Sequence, residues 1–295
     1  MTTVLLAGAS GDLGARTAHA LVSRGATVRA LTRAGAAPDK LAGLRELGAE
    51  PVQADYGDPA ALRGAVEGAD VVVSTVNGVR DVMIGAQTQL LEAAVAAGVP
   101  RFVPSDFSAD YRRIAPGSNR NFELRRDFAR VLDRAPIQAS SVLNGAFADM
   151  LTGQAPLVLV KAGRVLYWSD ADQPLDFTTK DDTAAFTADV ALDHAAPRYL
   201  EVAGDVVTAR QLAETMTELT GRQFRPTWAG TTGLVAGMAK GMRAVRKGDD
   251  EPFPAWQGMQ YLDAMFSGVA KLGPLDNDRY GQRTWTTARD VLAAA

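Results

Sequence analysis

The sequence predicts an α/β fold in which a doubly wound parallel sheet is followed by a smaller α+β part. Over residues 1–145 a short β-branched run, a glycine or acidic turn and a longer Ala/Leu-rich amphipathic run alternate, which is the rhythm of a parallel sheet wrapped by helices. The strand runs, such as VVVST at 71–75, are apolar at successive positions, as expected where both faces of a sheet are covered. A glycine-rich turn, GASGDLG at 8–14, separates the first apolar run from the first amphipathic one.

The expected strands are TVLLAG (3–8), TVRALT (27–32), EPVQAD (50–55), DVVVST (70–75), RFVPS (101–105) and ASSVLN (139–144). Helices are expected near 13–24, 38–48, 59–67, 80–97 and 119–133. After about residue 150 the rhythm breaks. LVLVKAGRVLYWS (157–169) reads as a hairpin with a glycine turn, and helices near 180–192 and 208–220 flank a further strand, RYLEVAG (198–204). RAVRKGDDEPFP (243–254) reads as an exposed linker between two helices. One division is expected at residue 150. It separates a nucleotide domain (1–150) from a substrate domain (151–295) that covers the sheet's carboxyl edge, with the strand near 198–204 returning to the main sheet.

Composition narrows the function classes. A chain of 295 residues with 47% apolar content builds a sizeable core. A net charge of −3 gives no positive field for nucleic acid or an anionic membrane. No cysteine is present and only two histidines, His19 and His194, so disulfides, thiolate chemistry and Cys/His metal cages are excluded; no metal is expected. No apolar run reaches the roughly 18 residues of a membrane helix and no basic leader precedes TTVLLAGASG, so the expected location is cytoplasmic.

Gly8, Gly11 and Gly14 fall where the first strand turns into the first helix. Glycines there let the backbone turn tightly and approach a pyrophosphate, whose charge sits on the free amides of the helix. This is the Rossmann-type arrangement, with G-x-x-G-x-x-G spacing in place of the commoner G-x-G-x-x-G. At the end of the second strand, where NAD sites tend to carry an acid, ALTRAG places Arg33. A guanidinium suits a ribose 2′-phosphate, so NADP(H) is preferred over NAD(H); the alternative is a solvated loop arginine. Asp55 ends the third strand and either contacts adenine or caps a local turn. Ser74, Thr75 and Val76 end the fourth, at the edge where open parallel sheets bind ligands. The expected cofactor set is Gly8, Ser10, Gly11, Asp12, Leu13, Gly14, Arg33, Asp55, Tyr56, Ser74, Thr75, Val76, Ser105, Arg125, Asn144 and Phe147.

GASGDLG (8–14), ALTR (30–33), QADYGDPAAL (53–62), RFVPSDFSAD (101–110), NFELRRDFARVL (121–132), SSVLNGAFADM (140–150), TTKDDTAAFTADVA (178–191) and VVTARQLAETMTELTG (206–221) together resemble the NmrA-like, isoflavone-reductase-like branch of the atypical short-chain dehydrogenases/reductases. The resemblance spans most of residues 1–225. It implies an NADP-binding Rossmann domain with a small substrate-covering domain. It also implies one of two activities: reduction of an aromatic or unsaturated carbonyl-type substrate by NADPH, or redox sensing without turnover through a protein partner. Ordinary short-chain dehydrogenases use a Tyr-x-x-x-Lys pair, and none of the six tyrosines has Lys four positions on. Isoflavone-reductase-like members carry a lysine in an F-E-V-K pattern; the matching residues here are Phe122, Glu123, Leu124 and Arg125. On the same pattern Asn144 and Phe147 flank the nicotinamide, while core packing is the other reading of Phe147.

Helix geometry places Arg125 at about 300° from Phe122, inside the arc of Leu124, Phe128, Ala129, Val131 and Leu132, and puts Arg126 on the solvated half. An inward arginine is either paired structurally, with Asp106, Asp149 or a carbonyl, or aimed at a ligand. Guanidinium stays charged, so it serves poorly as acid or base but can stabilise developing oxygen charge. A proton then comes from Tyr111, Asp106, bound water or solvent. The expected catalytic residues are Arg125, Tyr111 and Asp106. Trp228, Met238, Met242, Trp256, Met259, Tyr261, Met265 and Phe266 either line a pocket for a flat apolar molecule or pack helices. The expected partner is a small aromatic or quinone-like molecule, with a homodimer or a protein partner left open.

Overall fold

The computed structural model describes residues 1–153, 155, 157–245 and 250–295. Four of the positions expected to form the linker at 243–254, namely 246–249, therefore lie outside the described residues. The first half alternates strand and helix: β1 (Thr3–Ala7), α1 (Asp12–Ser23), β2 (Thr27–Thr32), α2 (Pro38–Glu46), β3 (Glu50–Gln53), α3 (Pro59–Val66), β4 (Val71–Ser74), a π-helical turn (Asp81–Ala86), α4 (Gln87–Ala96), β5 (Arg101–Val103), α5 (Arg120–Leu132) and β6 (Gln138–Ala139). The six strands form a parallel sheet in the order β3-β2-β1-β4-β5-β6, the Rossmann order.

Strand alternation explains how one apolar run covers two faces. Leu5, Ala7, Leu31, Val72 and Phe102 join one buried cluster with Leu62, Val66, Leu90, Leu91, Phe128 and Leu132 from α3, α4 and α5. The residues between them, Val4, Leu6, Val71, Val73 and Val103, are also fully buried. Helix ends follow one device. Ala26, Ala49 and Val99 donate their amides to Leu21, Leu44 and Ala94, five residues back, across Gly25, Gly48 and Gly98 in left-handed backbone.

The chain continues through β7 (Ser141–Leu143), β8 (Ala146–Phe147), β9 (Val158–Leu159), β10 (Arg164–Tyr167), β11 (Leu175–Thr178), α6 (Lys180–Leu192), β12 (Tyr199–Glu201), β13 (Asp205–Val207), α7 (Ala209–Thr220), β14 (Arg225–Trp228), α8 (Thr232–Val245), α9 (Ala255–Phe266) and α10 (Ala288–Ala293). β9 and β10 are the expected hairpin, turning through a short 3-10 segment that ends at Gly163. The single strand expected at 139–144 is divided, because its backbone changes partners: Ser140 donates to Phe102 O of β5, and Ser141 to Arg198 O. β12 pairs with β7.

Two compact units result. One comprises Met1–Asp106, Leu124–Val142 and Thr183–Leu200; the other comprises Phe107–Glu123, Leu143–Asp182 and Glu201–Ala295. In the first, Arg101 is almost fully buried, and its Nη1 and Nη2 donate to Ala191 O (2.7 Å) and Val190 O (2.8 Å). These are final carbonyls of α6, where the helix dipole favours a cation. Replacing Arg101 with Met is expected to lower unfolding free energy by roughly 2–4 kcal/mol, read as a fall in the urea midpoint at unchanged slope.

Candidate functional site

The turn after β1 is built by backbone approaching backbone. Gly8 has φ +83°, and a Cβ on it would lie 2.8 Å from both the carbonyl carbon and Oγ1 of Thr75. Gly14 lies inside α1, where a Cβ would stand 2.1 Å from Gly8 O. Thr75 donates both its amide (2.8 Å) and its hydroxyl (2.9 Å) to Ala7 O, which locks the end of β4 against the turn. Gly11 is the N-cap of α1 and no side chain caps the helix. Ser10, Gly11 and Asp12 are exposed there, Leu13 is half-buried, and Asp12 pairs with Arg16 at 2.7 Å. An open, uncapped helix start is an anion site in waiting for a phosphate.

Arg33 is exposed just beyond β2, and the structure brings Asp55 and Tyr56 to it. Asp55 Oδ1 accepts the Ala34 amide at 3.1 Å, so this carboxylate fixes the loop that carries Arg33. Burial pushes the Tyr56 phenol up to about 12, against the opposing pull of the Arg33 charge. Its side chain packs on the sheet's core, with Val52 and Val76 among its neighbours in the cluster.

Ser74 is fully buried, and its Oγ has no hydrogen-bond partner among the described residues. Ser105 Oγ donates to Val76 O (2.6 Å), and the Ser105 amide donates to Gln87 Oε1 (3.0 Å). Gln87 Nε2 in turn donates to Met83 O (2.7 Å) inside the π-helical turn. Gln87 was not among the residues singled out from sequence. A glutamine amid the apolar run of IGAQTQLL was the available signal.

Asp106 is fully buried and accepts Ser141 Oγ at 2.6 Å. Ser141 Oγ accepts Arg198 Nη1 at 2.6 Å, and Arg198 Nε reaches Asp133 at 2.8 Å. On α5, Leu124, Phe128, Ala129 and Leu132 are buried as expected. Arg125 is half-buried, with its Nε shielded from solvent, as its position inside the apolar arc required. Arg126 is also half-buried, where the helical wheel expected it solvated.

The second unit carries Tyr111, Asn144 and Phe147. Tyr111 is buried, and Phe147 is half-buried on β8 beside Thr178 of β11. Asn144 is fixed by its backbone, which donates to Ser108 O (2.9 Å) and accepts Thr178 Oγ1 (2.8 Å). Both polar atoms of its side-chain amide are buried without a partner among the described residues. The aromatic and methionine set divides. Trp256 is buried, with the Arg120 and Arg243 guanidinium carbons 4.7 and 5.0 Å from its ring centre. Phe266 packs on Trp168, and Met259 and Met265 on the same core, while Trp228 and Met238 are exposed.

Among the described residues no group of three or more His, Cys, Asp or Glu is placed to hold a metal, and no helix is long and apolar enough to cross a membrane. The NmrA-like family model matches residues 1–236. The bifunctional pinoresinol-lariciresinol reductase 1 of Linum usitatissimum is 30% identical over 76% of this chain and 77% of its own length. Pinoresinol reductase 1 of Arabidopsis thaliana is 30% identical over 77% of each. Among solved structures, AtPrR2 with NADP+ and (+)pinoresinol superposes with a TM-score of 0.82 over 99% of this chain and 98% of that one, at 23% identity. The NADPH-dependent quinone oxidoreductase QOR2 of Escherichia coli, complexed with NADPH, gives 0.78 over 99% of each at 22% identity. The match of the family model over residues 1–236 makes this chain a member of the NmrA-like family.

Proposed function

We infer that the protein is an NADPH-dependent oxidoreductase that reduces a small aromatic, enone or quinone-like molecule. The observation that carries the reading is the first turn: Gly8 and Gly14 packed without room for a side chain, with Gly11 between them opening onto an uncapped helix. The residues suit NADP(H). The α1 amides take the pyrophosphate, and Arg33, on a loop held by Asp55, takes the 2′-phosphate. The orphaned Ser74 hydroxyl and Asn144 amide are buried polar groups that a bound ligand would satisfy. The relatives support the substrate class, since their names describe reductases of pinoresinol, lariciresinol and isoflavone and a quinone oxidoreductase. Cofactor binding is assigned to residues 1–150 and substrate recognition mainly to 151–295, in a cytoplasmic protein.

When bound, NADPH supplies the hydride. The protein's own part is positional and electrostatic. Arg125 stands where the plant reductases carry lysine, and its fixed charge stabilises oxygen that becomes more negative during reduction. It cannot deliver a proton at neutral pH. Asp106 Oδ2 accepts a hydrogen bond from the Ser141 hydroxyl, and Asp106 and Tyr111 are both buried, so the proton comes from one of these enclosed groups or from water. The arginine at 125 also supports a second reading, an NADP(H)-responsive regulator that binds a protein partner without turnover. NADPH oxidation against a panel of quinones and enones separates the two, because the regulator binds NADPH and oxidises none.

Three variants test the assignment. Gly14→Ala is expected to cost roughly 1–3 kcal/mol of stability and to abolish measurable NADPH binding in a fluorescence titration. Arg33→Ala is expected to weaken NADPH by about 10–100-fold while leaving NADH affinity nearly unchanged. Unchanged preference would remove the 2′-phosphate assignment. Arg125→Ala is expected to lower kcat about 100-fold with a folded, NADPH-binding protein, and Arg125→Lys to retain activity; indifference to both would leave Arg125 a packing residue.

A further inference from the structure

Between β4 and α4 the first unit departs from α-helical geometry. At the end of the π-helical turn (Asp81–Ala86) the Gln87 amide donates to Val82 O, five residues back, and to Ile84 O. Met83 O, the acceptor that this amide would take in an α-helix, receives the Gln87 side chain instead, from Nε2 at 2.7 Å. The other end of the side chain is equally committed. Gln87 Oε1 accepts the Ser105 amide at 3.0 Å. Reversing the carboxamide would set its NH2 against an N–H and its oxygen against a carbonyl, so its orientation is fixed. Gln87 is 1% exposed, and a buried amide is costly to leave without such partners.

The bonds lead to the carboxyl edge of the sheet. Ser105 lies two residues past β5, and its hydroxyl donates at 2.6 Å to Val76 O, two residues past β4. A second contact joins the same loop to the π-helical turn: a Cβ on Gly78 would lie 2.7 Å from Val82 Cβ. In the order β3-β2-β1-β4-β5-β6 the winding reverses between β1 and β4, where a dinucleotide crosses the sheet edge. Its adenosine half then lies toward β2 and β3, the side of Arg33, and its nicotinamide half toward β4 and β5. We propose that Gln87 is a positioning residue, which acts through Ser105 to hold the Val76 peptide in place for the nicotinamide half of the cofactor. The π-helical turn explains why the residue is a glutamine. By drawing the Gln87 backbone amide to Val82 O it leaves Met83 O for the carboxamide N–H, while the carboxamide oxygen faces Ser105. This inference rests on the NADP(H) reading of the site but not on turnover.

The test is calorimetric titration of the full-length protein with NADPH and with adenosine 2′,5′-bisphosphate, which keeps the 2′-phosphate and lacks the nicotinamide half. Gln87→Met keeps the length of the side chain and removes both of its hydrogen bonds. It is expected to weaken NADPH by about tenfold, the scale of one lost buried hydrogen bond, and to leave the bisphosphate within about twofold of wild type. Equal weakening of both ligands would make Gln87 a merely structural residue and overturn the proposal, as would an unchanged affinity for NADPH. Should Gln87→Met fail to fold, Ser105→Ala, which removes only the bond to Val76 O, decides by the same comparison. Failure of the cofactor reading shows separately, in the wild type: a chain that binds neither ligand sinks that reading and this proposal together.

Discussion

The constraint on which the nucleotide end of this protein depends is the contact of backbone with backbone at Gly8. With a side chain there, Thr75 could not close on the turn, and with one at Gly14 the first turn of α1 could not rest against Gly8 O. Thr75 then clamps the end of β4 to the end of β1 through two donors on one carbonyl. The parallel sheet supplies rigid strand ends, and the absent side chains supply the clearance. Left-handed backbone at Gly8 costs little, because glycine adopts it freely. Every later assignment, from the anion-facing helix start to the arginine that follows β2, inherits its position from this packing.

Buried polar side-chain atoms without a partner occur in both units. Most buried polar side chains in the chain are paired, often in sequences of three or more, as with Arg198, Ser141 and Asp106. Ser74 Oγ and the Asn144 amide are among the exceptions. Buried groups without partners are costly, so their persistence points to partners that arrive from outside the chain. The charged residues behave differently: Arg101 and the Asp106 network use their polarity to complete helix ends and strand ends within the fold.

Much of this was legible in the sequence because it obeys local rules. Strand and helix positions through residue 132 follow from apolar periodicity, and the inward turn of Arg125 follows from arithmetic on a 3.6-residue repeat. Gly8 and Gly14 were recognisable because the backbone need behind them is strict. What escaped depends on distant partners. The half-burial of Arg126 depends on surroundings outside the helix, which a helical wheel does not contain. The break at Ser140 arises because the consecutive amides of Ser140 and Ser141 bond to β5 and to Arg198, residues far apart in the chain. The role of Asp55 in holding Ala34 was among the alternatives only as a generic turn cap. Gln87, as a buried bridge between Met83 and Ser105, gave only its polarity as a clue.

The chain passes between its compact units at 106/107, 123/124, 142/143, 182/183 and 200/201. During synthesis the first 142 residues can assemble most of the parallel sheet, but the buried guanidinium of Arg101 waits for carbonyls at positions 190 and 191. Until those residues are delivered, the Arg101 guanidinium lacks its two bonds to the end of α6. The first compact unit is therefore completed only when its last segment, Thr183–Leu200, has been made.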